Sequence, residues 1–302
     1  MASKKIVVLL HEKDGIFEKT TYLLRLMMER WRASGHAVQI VRGVGRFVPA
    51  DLMIPHLDLT VTPEPYRDFM AQYPVVLNRR VLDVSKSKIS SNLLRKGEDY
   101  DGPVIVKTER NYGGLPEARL KRERRPSPSF VRRILGSAIS KIRPSRAGAT
   151  EWNLVESMES GSYPVFPSLA SVPAGVFGNP NLVVEKFLPE REGTDYCLRY
   201  YYFFRDREIN FLLKSRNMVV KGSNAHRCDE VPSPPELHAI RQRLGIDFGK
   251  FDYVLRDGRV VLFDVNRTPS YSSLEPRGLS GPVADRLAEG IESLPEAADG
   301  TG

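Results

Sequence analysis

Cysteine is nearly absent: Cys197 and Cys228 are the only two in 302 residues, and they form no C-x-x-C pair. That excludes a disulfide framework and a thiolate zinc site, and it points to a reducing compartment. Long apolar runs are missing too. None approaches the roughly 20 residues that cross a bilayer, and the opening MASKKIVVLLHEKDG meets acids too soon for a signal peptide. A cytoplasmic protein with no membrane partner is the expectation. The five histidines (His11, His36, His56, His226 and His238) are scattered, so no convergent histidine set or nucleophilic triad emerges. His226 and Cys228, in H-R-C, lack further ligands and read as ordinary polar and packing residues. What is present is an ordinary globular composition, 41% hydrophobic and 27% charged. It excludes wholesale disorder, and the length favours two domains or one large α/β unit.

Charge of one sign is concentrated. The net charge is +8, yet residues 119–146 alone carry ten Arg or Lys against one acid, Glu123. Pro126, Pro128 and Pro144 punctuate that stretch, so its basicity belongs to a solvated loop rather than to a folded basic face. A lid that closes over phosphates or another polyanion is the sharper reading of the same loop.

Ile6 to Leu10 is a continuous apolar run, as in a strand buried on both faces of a parallel sheet. Over Glu18 to Ser34, Tyr22, Leu23, Leu26, Met27 and Trp31 recur at helical spacing, Gly35 supplies the stop, and HAVQIVR is the next strand. This is a βαβ unit, with DLMIPHLDLTV and YPVVLN read as its continuation. Gly43 and Gly45 lack the third glycine of a dinucleotide fingerprint and open no helix. After Asn78 the pattern predicts a helix from Ser85 to Leu94 and strands at GPVIVKT, NLVVEKFL, YCLRYYYFF and EINFLLKSR. It then predicts a helix capped by Ser233, with Pro234 first and Gly245 beyond its end. FDYVLRDGRVVLFDVN reads as a hairpin turning at Asp257-Gly258. GPVADRLAEGIESL reads as a closing helix.

The hairpin carries the most chemistry. Asp264 and Asn266 share a strand face because side chains alternate with period two, and antiparallel pairing across the turn places Asp252 beside them. Two carboxylates and an amide oxygen are hard ligands suited to Mg²⁺, which completes its shell with waters and substrate phosphates. Like charges at the end of a buried strand need a cation. Lys107 ends the apolar strand from Pro103, Lys86 and Lys88 open the preceding helix, and Asn111-Tyr112-Gly113-Gly114 is a turn whose backbone N–H groups can wrap anionic oxygens. The aromatic run Tyr200 to Phe204 reads as core strand packing.

In order, S-K-x-K-I-S-x-x-L-L, G-P-V-I-V-K-T with N-Y-G-G, L-V-V-E-K-F-L, F-D-Y-V and V-L-F-D-V-N-R-T-P resemble the ATP-grasp superfamily, which includes glutathione synthetase and D-alanine:D-alanine ligase. The resemblance runs from about Lys86 to Pro269. It implies an α/β and α+β protein: a small parallel-sheet domain over 1–80, a first ATP-grasp subdomain over 81–185 with a basic lid at 115–147, a second over 186–295, and a flexible tail at 296–302. It further implies that Lys86 and Lys107 contact nucleotide phosphates, with Lys88 a competing register for the first. Gly113 and Gly114 would cover them. Glu185, Lys186, Phe187 and Leu188 would line the adenine and ribose, and Arg199 would contact the nucleotide. Asp252, Asp264 and Asn266 would be the magnesium ligands. Asp264 stands where Glu is more usual, which bears on whether one ion or two is held; Mn²⁺ is an expected substitute. Lys214, Arg216 and Arg267 would face the γ-phosphate and the acyl intermediate.

The implied reaction activates a carboxylate as an acylphosphate at the expense of ATP and couples it to an amine, releasing ADP and phosphate. An amino acid or peptide is the expected substrate, and a homodimer the default assembly. Two other readings stay open: a kinase on the same fold, and a nucleic-acid-binding or regulatory protein that works through residues 119–146.

Overall fold

The computed structural model describes residues 3–123, 151–159 and 163–294. They fall into two compact units, Met1–Asn92 with Leu188–Gly302, and Leu93–Phe187. The 1–80 segment thus clusters with the C-terminal part of the chain, and the second boundary falls at Phe187/Leu188. Most of the basic 119–146 segment and the 296–302 tail lie outside the described residues.

The first unit opens with strand β1 (Lys5–Leu10), helix α1 (Leu23–Ala33), strand β2 (Ala37–Arg42) and strand β3 (Leu52–Pro55). They form a parallel sheet of order β2-β1-β3, as a βαβ crossover requires. Helix α1 buries Leu23, Leu24, Met27, Met28 and Trp31, and Arg30 and Arg32 in its last turn suit the helix dipole. The YPVVLN run adds only a bridge, Met53 to Val76. Pro74 near its start has no N–H to give, and Asn78, at φ 55°, turns the chain away. Helix α2 (Glu64–Ala71) follows, then the four-residue α3 (Lys86–Ile89). The longer helix expected to Leu94 stops because Ser90 is extended and its hydroxyl accepts from Asn92 N at 3.1 Å, a local turn that competes with helix.

The second unit is an antiparallel sheet of order β4-β7-β5-β6, made of β4 (Leu93–Leu94), β5 (Val104–Thr108), β6 (Val165–Phe166) and β7 (Leu182–Lys186). It carries helices α4 (Leu115–Glu123) and α5 (Ala174–Phe177). Its core gathers Leu94, Val104, Val106, Leu169, Val172, Val176, Leu182 and Val184.

The chain then returns to the first unit with β8 (Glu190–Glu192), β9 (Asp195–Phe204), β10 (Arg207–Ser215), β11 (Arg227–Glu230), helix α6 (Glu236–Leu244), β12 (Phe248–Arg256), β13 (Arg259–Asn266) and helix α7 (Ser280–Ala288). The sheet order is β11-β10-β9-β12-β13, with β8 also on β9. Helix α6 starts after Pro235 rather than at Pro234, since a residue that precedes proline is pushed out of helical geometry. Gly245 ends it in the left-handed region at φ 66°, and the hairpin turns at Asp257 (φ 50°) and Gly258 (φ 77°), as a two-residue Asp-Gly loop should. One face of this sheet packs with β1, α1 and α7: Tyr200, Tyr202 and Phe211 share a core with Val8, Met27, Trp31 and Val283. Trp31 Nε1 also donates to Ala288 O at 2.9 Å. The other face buries Tyr201, Phe203, Phe251 and Tyr253 with Leu237 and Ile240 of α6.

Candidate functional site

The hairpin positions the acids. Asp252 on β12 pairs with Asp264 on β13, and Lys250 pairs with Asn266, with an irregularity just after Asp252. Across the other edge of β12, Asp252 pairs with Tyr200 of β9 and Lys250 with Tyr202. Paired residues of an antiparallel ladder project to the same face. Lys250, Asp252, Asp264, Asn266, Tyr200 and Tyr202 therefore form one patch of sheet.

Two lysines neutralise the acids. Lys86 Nζ, on α3, lies 2.8 Å from Asp264 Oδ1, and its side chain is only 4% exposed. Lys250 Nζ lies 2.8 Å from Asp252 Oδ1 and 3.8 Å from the centre of the Tyr200 ring. Lys88, one position past the intervening Ser87, is exposed; Lys86 is the lysine at the acids. Burial holds the Asp252 carboxyl above its ordinary range and the adjacent Asp264 adds to this, while Lys250 and Lys86 pull the other way. For Lys250, burial disfavours the charge, but Asp252, Tyr200 and Tyr202 outweigh it and raise its pKa. Asp252 Oδ1 is buried and, beyond that ion pair, has no well-aligned hydrogen bond. A hard oxygen donor set with one such oxygen fits a divalent cation such as Mg²⁺. Asn266 Oδ1 accepts from Thr268 N at 2.9 Å, which fixes the amide.

Within the first unit, Lys214, Arg199, Arg216 and Arg267 have partners of their own. Lys214 and Arg199 alternate to the opposite face of the sheet. There Arg199 forks onto Glu190, Nη2 to Oε1 at 2.7 Å, Glu190 accepts from Leu255 N at 2.8 Å, and Lys214 pairs with Glu192. Arg216 pairs with Asp195 at 3.2 Å and is largely exposed. Arg267 is buried, and its guanidinium donates to Val81 O at 2.7 Å, Leu59 O at 2.8 Å and the Thr62 hydroxyl at 2.9 Å. These contacts brace the loop after β3 against the end of β13. The ligand atoms of Glu190, Glu192 and Cys197 all lie within 4.8 Å of one another, but both carboxylates are held by cations. Burial, then Glu190 and Glu192, push the Cys197 thiol up to about 11, so this trio is a poor thiolate metal site.

In the second unit, Lys107 of β5 and Glu185 of β7 form a buried ion pair, 2.6 Å between Nζ and Oε2. Glu185 Oε1 has no hydrogen-bond partner among the described residues. Lys186 stands 5.2 Å from the centre of the Tyr100 ring, and Phe187 N donates to Pro103 O at 2.8 Å. Gly113 and Gly114 turn at φ 68° and 71° immediately before α4. A Cβ on Gly113 would sit 1.9 Å from Met158 O, so only glycine allows this approach. Leu188, the last of the expected adenine-side segment, is half-buried in the first unit.

No family model and no curated protein matches the chain. Solved structures do. D-alanine–D-alanine ligase from Bacillus anthracis is 11% identical, with 97% of this chain and 98% of that one covered and a TM-score of 0.47. A RiPP-associated ATP-grasp ligase from Chryseobacterium gregarium, in complex with ADP and a leader and core peptide, is 9% identical, covering 96% and 97%, TM-score 0.49. The ATP-grasp ligase PsnB, with minimal precursor, Mg and ADP, is 13% identical, covering 94% and 96%, TM-score 0.43. The latter two are ATP-grasp ligases by description.

Lys250 was not marked by any ATP-grasp motif, although it shares the strand face of Asp252 at a spacing of two, a signal that strand alternation carries. The ring of Tyr200, read as core packing, is core, but it also faces the Lys250 ammonium.

Proposed function

We propose that this chain is an ATP- and Mg²⁺-dependent ligase that activates a carboxylate as an acylphosphate and joins it to an amine, releasing ADP and phosphate. The observation that carries this reading is the patch on β12 and β13: two carboxylates directly opposed across a hairpin, an adjacent amide oxygen, and a buried lysine from α3 held against them. Asp252, Asp264 and Asn266 would hold magnesium, which when bound neutralises phosphate charge. Lys86 is the cation beside those acids and would turn to a nucleotide phosphate. In the second unit, Lys107 and Glu185 are the proposed phosphate and adenine or ribose contacts, and the Gly113-Gly114 turn presents backbone N–H groups to an anion.

Phosphoryl transfer to a carboxylate asks little covalent chemistry of the protein, and catalysis is chiefly positioning and charge neutralisation. The buried cations Lys86 and Lys107 match that demand. Arg267, saturated by carbonyls, serves by holding the end of β13 and thereby Asn266 in place. Arg199 and Lys214 would keep a β8–β9 segment rigid through Glu190 and Glu192.

The test is phosphate release from Mg·ATP with paired panels of amino acids and short peptides. A ligase releases ADP and phosphate only when acid and amine are both present. ADP formed without free phosphate and without an amine would instead mark a kinase.

A further inference from the structure

Each acid of the hairpin patch pairs with a lysine, Asp252 with Lys250 and Asp264 with Lys86. Lys250 is the member that no part of the proposed chemistry uses. Its ammonium lies 2.8 Å from Asp252 Oδ1, 3.8 Å from the Tyr200 ring centre and 5.9 Å from that of Tyr202. Both tyrosines are buried in the core. The Tyr200 hydroxyl accepts from Gly222 N at 3.0 Å, and a Cβ on Gly222 would meet Ser273 Cβ at 2.1 Å. The ring that faces Lys250 is therefore fixed at both ends, and a cation boxed between a carboxylate and ring faces is held firmly.

Building on the magnesium reading above, we infer that Lys250 is a positioning residue, the resident counter-cation of Asp252, and that this patch admits a divalent ion only together with a polyphosphate. An ion arriving alone would bring two more positive charges beside the Lys250 ammonium, 2.8 Å from Asp252 Oδ1, and at such short range in protein the repulsion is large. A nucleotide arriving with the ion brings the missing negative charge, and Mg²⁺ characteristically binds through one or two carboxylates plus substrate phosphates. Lys250 thus sets the order of binding, metal with nucleotide, rather than taking part in bond making.

Binding of Mn²⁺ to the full-length chain, followed by the loss of its free-ion electron paramagnetic resonance signal, tests this. It is measured without and with ADP, the Mn²⁺–ADP complex being measured separately. Wild type should bind Mn²⁺ at least about tenfold more tightly with ADP than without. Lys250→Gln should gain about tenfold or more in affinity for Mn²⁺ alone, and Lys250→Arg, which keeps the charge, should behave as wild type. Unchanged affinity for Mn²⁺ alone in Lys250→Gln overturns the inference. So does equal Mn²⁺ affinity with and without ADP in wild type that binds ADP, a comparison that decides the matter even if the variant fails to fold. Wild type that binds no ADP in the presence of Mn²⁺ defeats the magnesium–nucleotide reading itself, and the inference with it.

Discussion

Asp252 and Asp264 stand directly opposite one another across β12 and β13, and each is neutralised by a different lysine, Lys250 from the same strand and Lys86 from a helix 178 residues away in sequence. The two acids are therefore both a candidate metal site and a folding contact. Asp264→Asn should abolish ATP turnover and also lower stability by about 1–3 kcal/mol, because the charge-assisted bond from the buried Lys86 to Asp264 is lost. Turnover and urea unfolding on the same preparation check both halves; full stability together with full activity would contradict them.

Lys107 and Glu185 form the most deeply buried ion pair with a proposed nucleotide role, at 11% and 1% side-chain exposure. Removing one partner strands a charge, whereas removing both does not. Lys107→Met alone should destabilise by about 3–5 kcal/mol, and Lys107→Met with Glu185→Leu should recover most of that loss. Denaturant unfolding of the two variants measures it. Nucleotide binding should be weak in both, so stability and binding separate.

Arg267 makes its hydrogen bonds to backbone carbonyls and a threonine hydroxyl of the segment 59–81. Lysine keeps the charge but lacks the fork. Arg267→Lys should lose about 1.5–3 kcal/mol of stability and raise KM for nucleotide more than it lowers kcat, as expected of a brace. A large fall in kcat at unchanged stability would assign it to the chemistry instead.

His56 is fully buried between the rings of Phe17 and Tyr22, and neither ring nitrogen has a hydrogen-bond partner among the described residues. Burial lowers its pKa from 6.5 to about 3. The unfolded chain therefore takes up a proton that the folded chain refuses between those values. The stabilising effect is complete above about pH 6.5 and is lost as pH falls toward 3, at about 1.4 kcal/mol per pH unit. His56→Phe should flatten the dependence of stability on pH between 4 and 6, read from unfolding midpoints. An unchanged slope would show that His56 is not its source.

Much of the hairpin was legible because every signal there is local: period-two alternation, an Asp-Gly turn, and two acids, Asp252 and Asp264, on the strands that flank that one turn. The β1–α1–β2 crossover was legible for the same reason. The partnerships that decide roles were not, since Lys86 with Asp264 and Arg267 with Leu59 join positions far apart in sequence, and single-sequence patterns carry no pairing information. Lys250 lies between these cases, its spacing to Asp252 being readable but its partner ring, Tyr200, not. The short α3 shows local chemistry overriding pattern, with Ser90 and Asn92 ending a helix that the apolar spacing extended to Leu94.

Calorimetric titration of ADP in millimolar Mg²⁺ into the full-length chain tests the proposed magnesium–nucleotide site most directly. Wild type should show saturable binding, and the double variant Asp252→Asn with Asp264→Asn, checked for an intact circular dichroism spectrum, should show none. No heat of binding from folded wild type, or the same affinity in the double variant, would contradict the assignment.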